Sequence, residues 1–442
     1  MSRYLIATWP YTGHVYPHLA IARELRARGD EVAFYTGKRA LPLLQAEGFQ
    51  VFPFAALNEA AVDGLFYAAD RMLGWRRPLR LLSGLRRWLV DTLPQQVADL
   101  EDLFAAVHFD VIICDATMWA PFVVLAETQG ISLVATSSVA GCMIPGPDAP
   151  PWGMGLRPPR SWPTRLTCRC AARLSDCLSA DLRSGVTAIR RRYGLSPLTE
   201  GINSYIGRAP LYLVRGCPEF DFERRDLPAS VEYVGPLLAG STSADRIPPW
   251  LAGLRGDKPV VHVTEGSLQV KPRLLGAAIR ALARDFRVIV TTGVTTGAQA
   301  RSVELAKEIQ SESVFVESWI PHGVLMPLCD AVITVGGAGT AFAAIGAGVP
   351  LVVVPSETDQ FDTARRVAHS GAGLVLNARC GSGQMEKAVK RLCSEPRFRA
   401  NARRVSDLFG RYRGAARAAD LIGRFSARQK IGEPSSRVAA AI

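Results

Sequence analysis

Residues Asp330 to Gln360 read DAVITVGGAGTAFAAIGAGVPLVVVPSETDQ, and the fold follows from how this stretch changes along its length. Ala331 to Thr334 is a short apolar run of strand length, which breaks at Gly336, Gly337 and Gly339 and resumes from Thr340 as an Ala-rich helical segment. Strand, tight turn and helix start make a credible diphosphate cradle, because glycine lets the backbone approach a ligand and first-turn N–H groups favour an anion. Thr340 can add a hydroxyl donor. After Gly348-Val349-Pro350 a second strand, Leu351 to Val354, ends at Pro355. Asp359 and Gln360 then lie beyond its carboxyl end, where open α/β sheets bind ligands. A short Gly-rich loop is a weak motif by itself, and a plain turn of a parallel sheet reads the same way.

The order and spacing of a longer set narrow the choice: Trp319-Ile320-Pro321-His322, Leu325, Asp330, Gly336-Gly337-Ala338-Gly339-Thr340, Gly348-Val349-Pro350, Pro355 and Asp359-Gln360. This set resembles the donor-binding signature of nucleotide-sugar-dependent glycosyltransferases of the two-domain GT-B type, as in plant UDP-glycosyltransferases and bacterial natural-product glycosyltransferases. The resemblance implies an α/β chain of two facing doubly wound, Rossmann-like domains with the site in the cleft. It implies that Trp319 stacks on the nucleobase and that the backbone near His322 reads its edge. Amides at Gly336, Gly337, Gly339 and Thr340, with the hydroxyls of Thr340 and Ser267, would hold the diphosphate, while Asp359 and Gln360 would bind sugar hydroxyls. Plainer readings stand beside these: Trp319 as a core aromatic, Ser267 as a turn former, Asp359 and Gln360 as a helix start. Two positions depart from the family pattern. Val335 stands where members usually carry a diphosphate-binding His, and Ala343 stands where UDP-sugar users often carry a ribose-binding Glu.

The amino-terminal half opens with Arg3 to Trp9 as a strand, then Pro10 to Gly13 leading to His14, with Pro17 in the first turn of a helix that ends near Gly29. Glu31 to Tyr35 is the next strand, so this half too begins as a parallel sheet. It lacks G-x-G-x-x-G, which disfavours a dehydrogenase-type dinucleotide site. The start of a helix favours a neutral imidazole, the form a general base requires, although a His there also serves as a cap or surface residue. Gly13-His14-Val15-Tyr16-Pro17 looks like the G-H-x-x-P segment of the same glycosyltransferases, whose His deprotonates the acceptor. Phe109 to Cys114 is a further buried strand ending in Asp115, which the family pattern makes the residue that orients His14. A helix N-cap is the alternative.

Composition bounds the rest. A chain of 442 residues exceeds what one hydrophobic core usually organises. The expected division is 1–235 for the acceptor, 236–250 as linker, 251–410 for the nucleotide-sugar donor, 411–425 as a helix crossing back, and 426–442 as a flexible tail. No run reaches the ~20 apolar residues of a membrane span, and a cytoplasmic location is expected. Nine scattered Cys form neither zinc-type pairs nor a disulfide framework. The net charge of +12 comes with Arg clusters at Arg76, Arg77, Arg80, Arg86 and Arg87 and at Arg190 to Arg192, read as solvated helix faces rather than a nucleic-acid surface. Docking to a membrane surface stays open, as does a homodimer. The Pro- and Gly-rich stretch Pro145 to Pro163 reads as a long surface loop and, with Met72 to Leu89, as a wall of the acceptor pocket.

The expected activity is inverting transfer of a sugar from a dTDP- or UDP-sugar to a hydroxyl of a hydrophobic natural-product acceptor. No cofactor beyond the nucleotide sugar and no metal is expected, since Asp359-Gln360-Phe361-Asp362 is spaced as D-x-x-D. A membrane-associated lipid glycosyltransferase and a non-catalytic partner of another transferase are the alternatives.

Overall fold

Strands such as Val111–Asp115 and Leu211–Arg215 are buried at every position, the mark of a parallel sheet covered by helices on both faces. The computed structural model describes residues 1–67, 78–240, 247–254, 256–266, 274–293, 304, 307, 309 and 311–431. Within these, β1 (Arg3–Ala7), β2 (Glu31–Thr36), β3 (Gln50–Pro53), β4 (Val111–Asp115), β5 (Leu133–Thr136), β6 (Leu211–Arg215) and β7 (Val231–Gly235) form one sheet. A second contains β8 (Val260–Thr264), β9 (Arg287–Thr291), β10 (Val314–Glu317), β11 (Ala331–Thr334), β12 (Leu351–Val353) and β13 (Gly373–Val375).

The orders are β3-β2-β1-β4-β5-β6-β7 and β10-β9-β8-β11-β12-β13, with every named pair parallel. Both sheets are therefore doubly wound, reversing direction between β1 and β4 and between β8 and β11. At such a switch point the neighbouring loops diverge and leave a crevice at the carboxyl ends of the strands.

Among the helices that border the crevice or cover the first sheet are α1 (Thr12–Ala27), α2 (Ala338–Gly346), α3 (Thr358–Ser370) and α4 (Ala415–Lys430). Helix α1 starts five residues before Pro17, so the proline lies inside it rather than in its first turn. Pro17 supplies no backbone donor, and in the same turn the His18 side chain pairs with His14 O at 2.6 Å through Nδ1. Helix α4 places Ala418, Ala419 and Ile422 in one core cluster with Leu19, Ala22 and Leu25 of α1, so the end of the described chain covers the first sheet.

The two halves meet through side chains of unlike kinds. Phe220, which follows β6, packs on Phe342 of α2 with ring centroids 5.6 Å apart. The buried Arg215 guanidinium lies 4.9 Å above the same Phe342 ring and donates to Ser138 O at 2.6 Å. Arg366 of α3 pairs with Asp221 at 2.7 Å, with both side chains almost completely buried. One Arg cluster needs correction. Arg190 is not on a solvated face but buried, holding Glu127 at 2.8 Å, while Arg191 and Arg192 are exposed. Arg76 and Arg77 lie outside the described residues.

Candidate active site

His14 follows β1 and Asp115 ends β4, so the first switch point brings them together: His14 Nδ1 is 2.8 Å from Asp115 Oδ2. Burial alone would push the Asp115 carboxyl up, but His14, then His18 and the Thr117 hydroxyl, hold it well below the usual carboxylate range. An ionised carboxylate only accepts, so Nδ1–H donates and the lone pair of Nε2 is left for a substrate proton. Asp115 Oδ1 accepts from Thr117 N at 2.8 Å and Thr117 Oγ1 at 2.5 Å. The same carboxylate therefore pairs with His14 and caps its own loop, whereas the helix that follows, Pro121–Leu125, starts at Ala120 without a side-chain cap, so Asp115 is not its N-cap.

His18, one helical turn beyond His14, is a residue that sequence reasoning passed over. It is fully buried, and burial lowers its pKa. Its Nδ1 pairs with His14 O, and its Nε2 pairs with Thr136 Oγ1, 2.5 Å away. The ring braces the turn that carries His14. The i, i+4 spacing of two histidines is the signal that could have revealed it. Around His14 stand two further aromatic rings, Tyr11 at 6.2 Å and Trp88 at 6.3 Å, both edge-on. Trp88 belongs to the Met72 to Leu89 segment, whose first residues lie outside the described ones.

The second switch point holds the Gly-rich turn. Gly336 has φ +98°, and a Cβ there would lie 2.8 Å from Val353 Cγ1 and 3.1 Å from Gln360 O, so only glycine closes this turn. Gly337 and Gly339 instead have nothing among the described residues within 4 Å of where a Cβ would stand. The N-cap of α2 is Gly337, which has no side chain to cap it, and among the described residues its first-turn N–H groups are open to an anion. Thr340 is buried in that turn. Val335 packs into the hydrophobic cluster with Val263 and Ile333 and offers the cradle no donor. Ser267 lies outside the described residues.

Trp319 and His322 form a platform with ring centroids 5.8 Å apart and planes 27° apart. Burial pushes the His322 pKa down to about 4. The indole Nε1 of Trp319 is buried without a partner among the described residues. The sequence did not suggest Tyr16, which crosses from α1 and stacks on Trp319 at 5.7 Å and 16°. At the start of α3, Gln360 Oε1 accepts from Ser356 N at 3.0 Å and Glu357 N at 3.2 Å, which is the helix-start role. Its Nε2 remains as a donor. Burial, Glu357 and Asp362 push the Asp359 pKa up to about 6, against an opposing pull from His14.

Known proteins resemble this chain. Residues 285–409 match the family model described as erythromycin biosynthesis protein CIII-like, C-terminal domain. The chain is 34% identical over 412 residues to 4'-demethylrebeccamycin synthase of Lentzea aerocolonigenes, covering 92% of this chain and 95% of that protein. It belongs to the natural-product glycosyltransferases. Solved members share the GT-B fold over nearly the whole length. The calicheamicin glycosyltransferase CalG4 superposes with a TM-score of 0.71 at 20% identity, covering 97% of this chain and 99% of that one. The glycosyltransferase VinC, solved in complex with dTDP, gives 0.68 at 21% identity, covering 96% and 100%. A glycosyltransferase of this family takes its sugar from a nucleotide sugar. Among the described residues of this one, no helix is long and apolar enough to cross a membrane.

Proposed function

We propose that this glycosyltransferase moves a sugar from a dTDP- or UDP-sugar to a hydroxyl of a hydrophobic natural-product acceptor, with inversion and without a metal ion or further cofactor. The observation that carries the reading is the His14–Asp115 pair at one switch point, with the open glycine turn before α2 at the other. Residues 1–235 would take the acceptor and residues 251–410 the donor.

In this reading His14 Nε2 removes the acceptor hydroxyl proton, and the oxygen attacks the anomeric carbon on the face opposite the diphosphate. The bond from that carbon to the diphosphate oxygen breaks, its electron pair stays on that oxygen, and the configuration inverts. Amides of Gly337 to Thr340 and the Thr340 hydroxyl stabilise the charge that develops on the leaving group. Trp319 stacks on the base, the backbone at His322 meets its edge, and Asp359 with Gln360 hold the sugar. Asp115 keeps Nδ1 protonated and stabilises the imidazolium once formed. VinC's complex with dTDP supports this class of nucleotide.

The experiment is mass spectrometry of purified protein with panels of dTDP- and UDP-sugars and hydroxylated aromatic and macrolide acceptors. A mass gain of one sugar, with the opposite anomeric configuration to the donor by NMR, is expected. Retained configuration would refute the single-displacement reading, and no transfer to any acceptor would refute the transferase reading.

A further inference from the structure

The second carboxylate of the D-x-x-D stretch has no part in the proposed transfer step, yet Asp362 is buried and fully engaged. It lies one helical turn after Asp359, on the same face of α3. Its Oδ2 accepts from Gly153 N at 2.6 Å and its Oδ1 from Gly155 N at 2.9 Å. Both glycines have left-handed backbones, with φ of +84° and +59°. Two nearby backbone N–H groups held in this way form a concavity for an anion, and here the anion comes from the opposite half of the molecule. Arg365 Nε adds a bond to Gly155 O at 2.9 Å.

The loop held in this way leaves β5, the strand beside that of Asp115, and reaches α3, the helix that starts with Asp359 and Gln360. Two of its anchors involve residues of α3. Near its base, Cys142 N donates to Asp221 Oδ2 at 2.8 Å, and Arg366 holds Asp221 Oδ1. Near its tip, Asp362 takes the two glycine N–H groups. The contact is close: a Cβ on Gly155 would lie 2.6 Å from the Phe361 Cβ. A displacement of α3 must therefore carry residues 153–155 with it.

We infer that Asp362 is a positioning residue, which sets the acceptor-side loop of the cleft from the helix that holds the donor sugar. This rests on the proposed assignment of donor and acceptor halves. Occupation of the donor site fixes α3, α3 fixes the loop through Asp362, and the acceptor meets a finished wall only when the donor helix is in place.

The test compares wild type, Asp362→Asn and Gly155→Ala in initial-rate assays with 4-methylumbelliferone and quercetin as acceptors and dTDP-glucose or UDP-glucose as donor. Calorimetry with the matching nucleoside diphosphate runs alongside. Asp362→Asn keeps the shape but removes the charge, and Gly155→Ala attacks the same contact from the loop side. Each is expected to raise the acceptor KM about tenfold or more while nucleoside diphosphate affinity stays within about twofold. The double variant is expected to be no worse than the weaker single, as for two changes in one contact. An acceptor KM within about threefold of wild type, a loss confined to kcat, or a parallel loss of nucleotide affinity overturns the assignment. Wild-type protein that transfers to neither acceptor, with His14→Ala indistinguishable from it, counts against the transferase reading instead, and the inference falls with it.

Discussion

His14 Nδ1 and Asp115 Oδ2 are 2.8 Å apart although the residues are 101 positions apart in the chain. His14→Ala is expected to lower transfer by about 10²- to 10⁴-fold, the usual value of a general base, while leaving nucleoside diphosphate binding almost unchanged. Asp115→Asn is expected to cut turnover comparably, because an amide N–H facing Nδ1 forces the proton to Nε2 and removes the base. Single-turnover rates and calorimetry check both halves. The folded Asp115 has a lowered pKa, so its ionisation stabilises the fold above the ordinary value of 3.8 and this contribution is lost as pH falls below it. Asp115→Asn should therefore lose thermal stability at pH 7 and progressively less as the pH is taken below 4.

Asp359 titrates in the opposite sense. Its pKa is raised from 3.8 to about 6, so the folded state holds a proton that the unfolded chain releases. Stability from this group is complete below about 4 and is lost as pH rises through 6. Asp359→Asn is expected to raise Tm at pH 8 and leave it unchanged at pH 4, while slowing transfer. Nucleotide-sugar affinity should weaken on the acid side of about 6, with a limb that Asp359→Asn removes. A pH-independent donor affinity between 5 and 8 would contradict the sugar-binding role.

Tyr16 lies flat on Trp319, where the resemblance places the nucleobase. An aromatic pair contributes about 0.5–1.5 kcal/mol beyond its buried area, and a base that takes the same ring face must displace that contact. Tyr16→Ala is expected to tighten nucleoside diphosphate binding by about two- to tenfold, and titration should change the Trp319 fluorescence of wild type more than that of the variant. Weaker binding in the variant would make Tyr16 part of the base site instead.

Ala343 presents a methyl group on α2 where a carboxylate would accept from both ribose hydroxyls. A site that hydrogen-bonds a hydroxyl rejects ligands that lack it, and without the acceptor that preference disappears. Thymidine diphosphate is expected to bind no worse than uridine diphosphate in competition titration, and Ala343→Glu should shift preference towards uridine. A wild-type preference for uridine diphosphate of about tenfold, ~1.4 kcal/mol, contradicts this.

Much of the fold was legible in the sequence because a buried parallel strand is a short apolar run closed by glycine or proline. β1, β4, β8 and β11 could be read directly. β3 and β13 could not: they are edge strands of four and three residues, one of them containing Pro53. The helix Trp162–Leu178 was hidden for another reason, since among its seventeen residues only Cys168 is buried.

Which residues stand at the two switch points was written in the chain itself, because a histidine after one strand, an aspartate ending another and three glycines before a helix are local features. So was what is missing, the imidazole at Val335 and the carboxylate at Ala343. Which groups face each other across the crevice was settled by packing alone. Tyr16 on Trp319, Asp362 on Gly153 and Gly155, and Arg366 on Asp221 each join residues at least 145 positions apart, a separation at which spacing carries no signal. Such contacts depend on how two separately wound sheets dock, and docking is set by the whole of both surfaces rather than by any one stretch of chain.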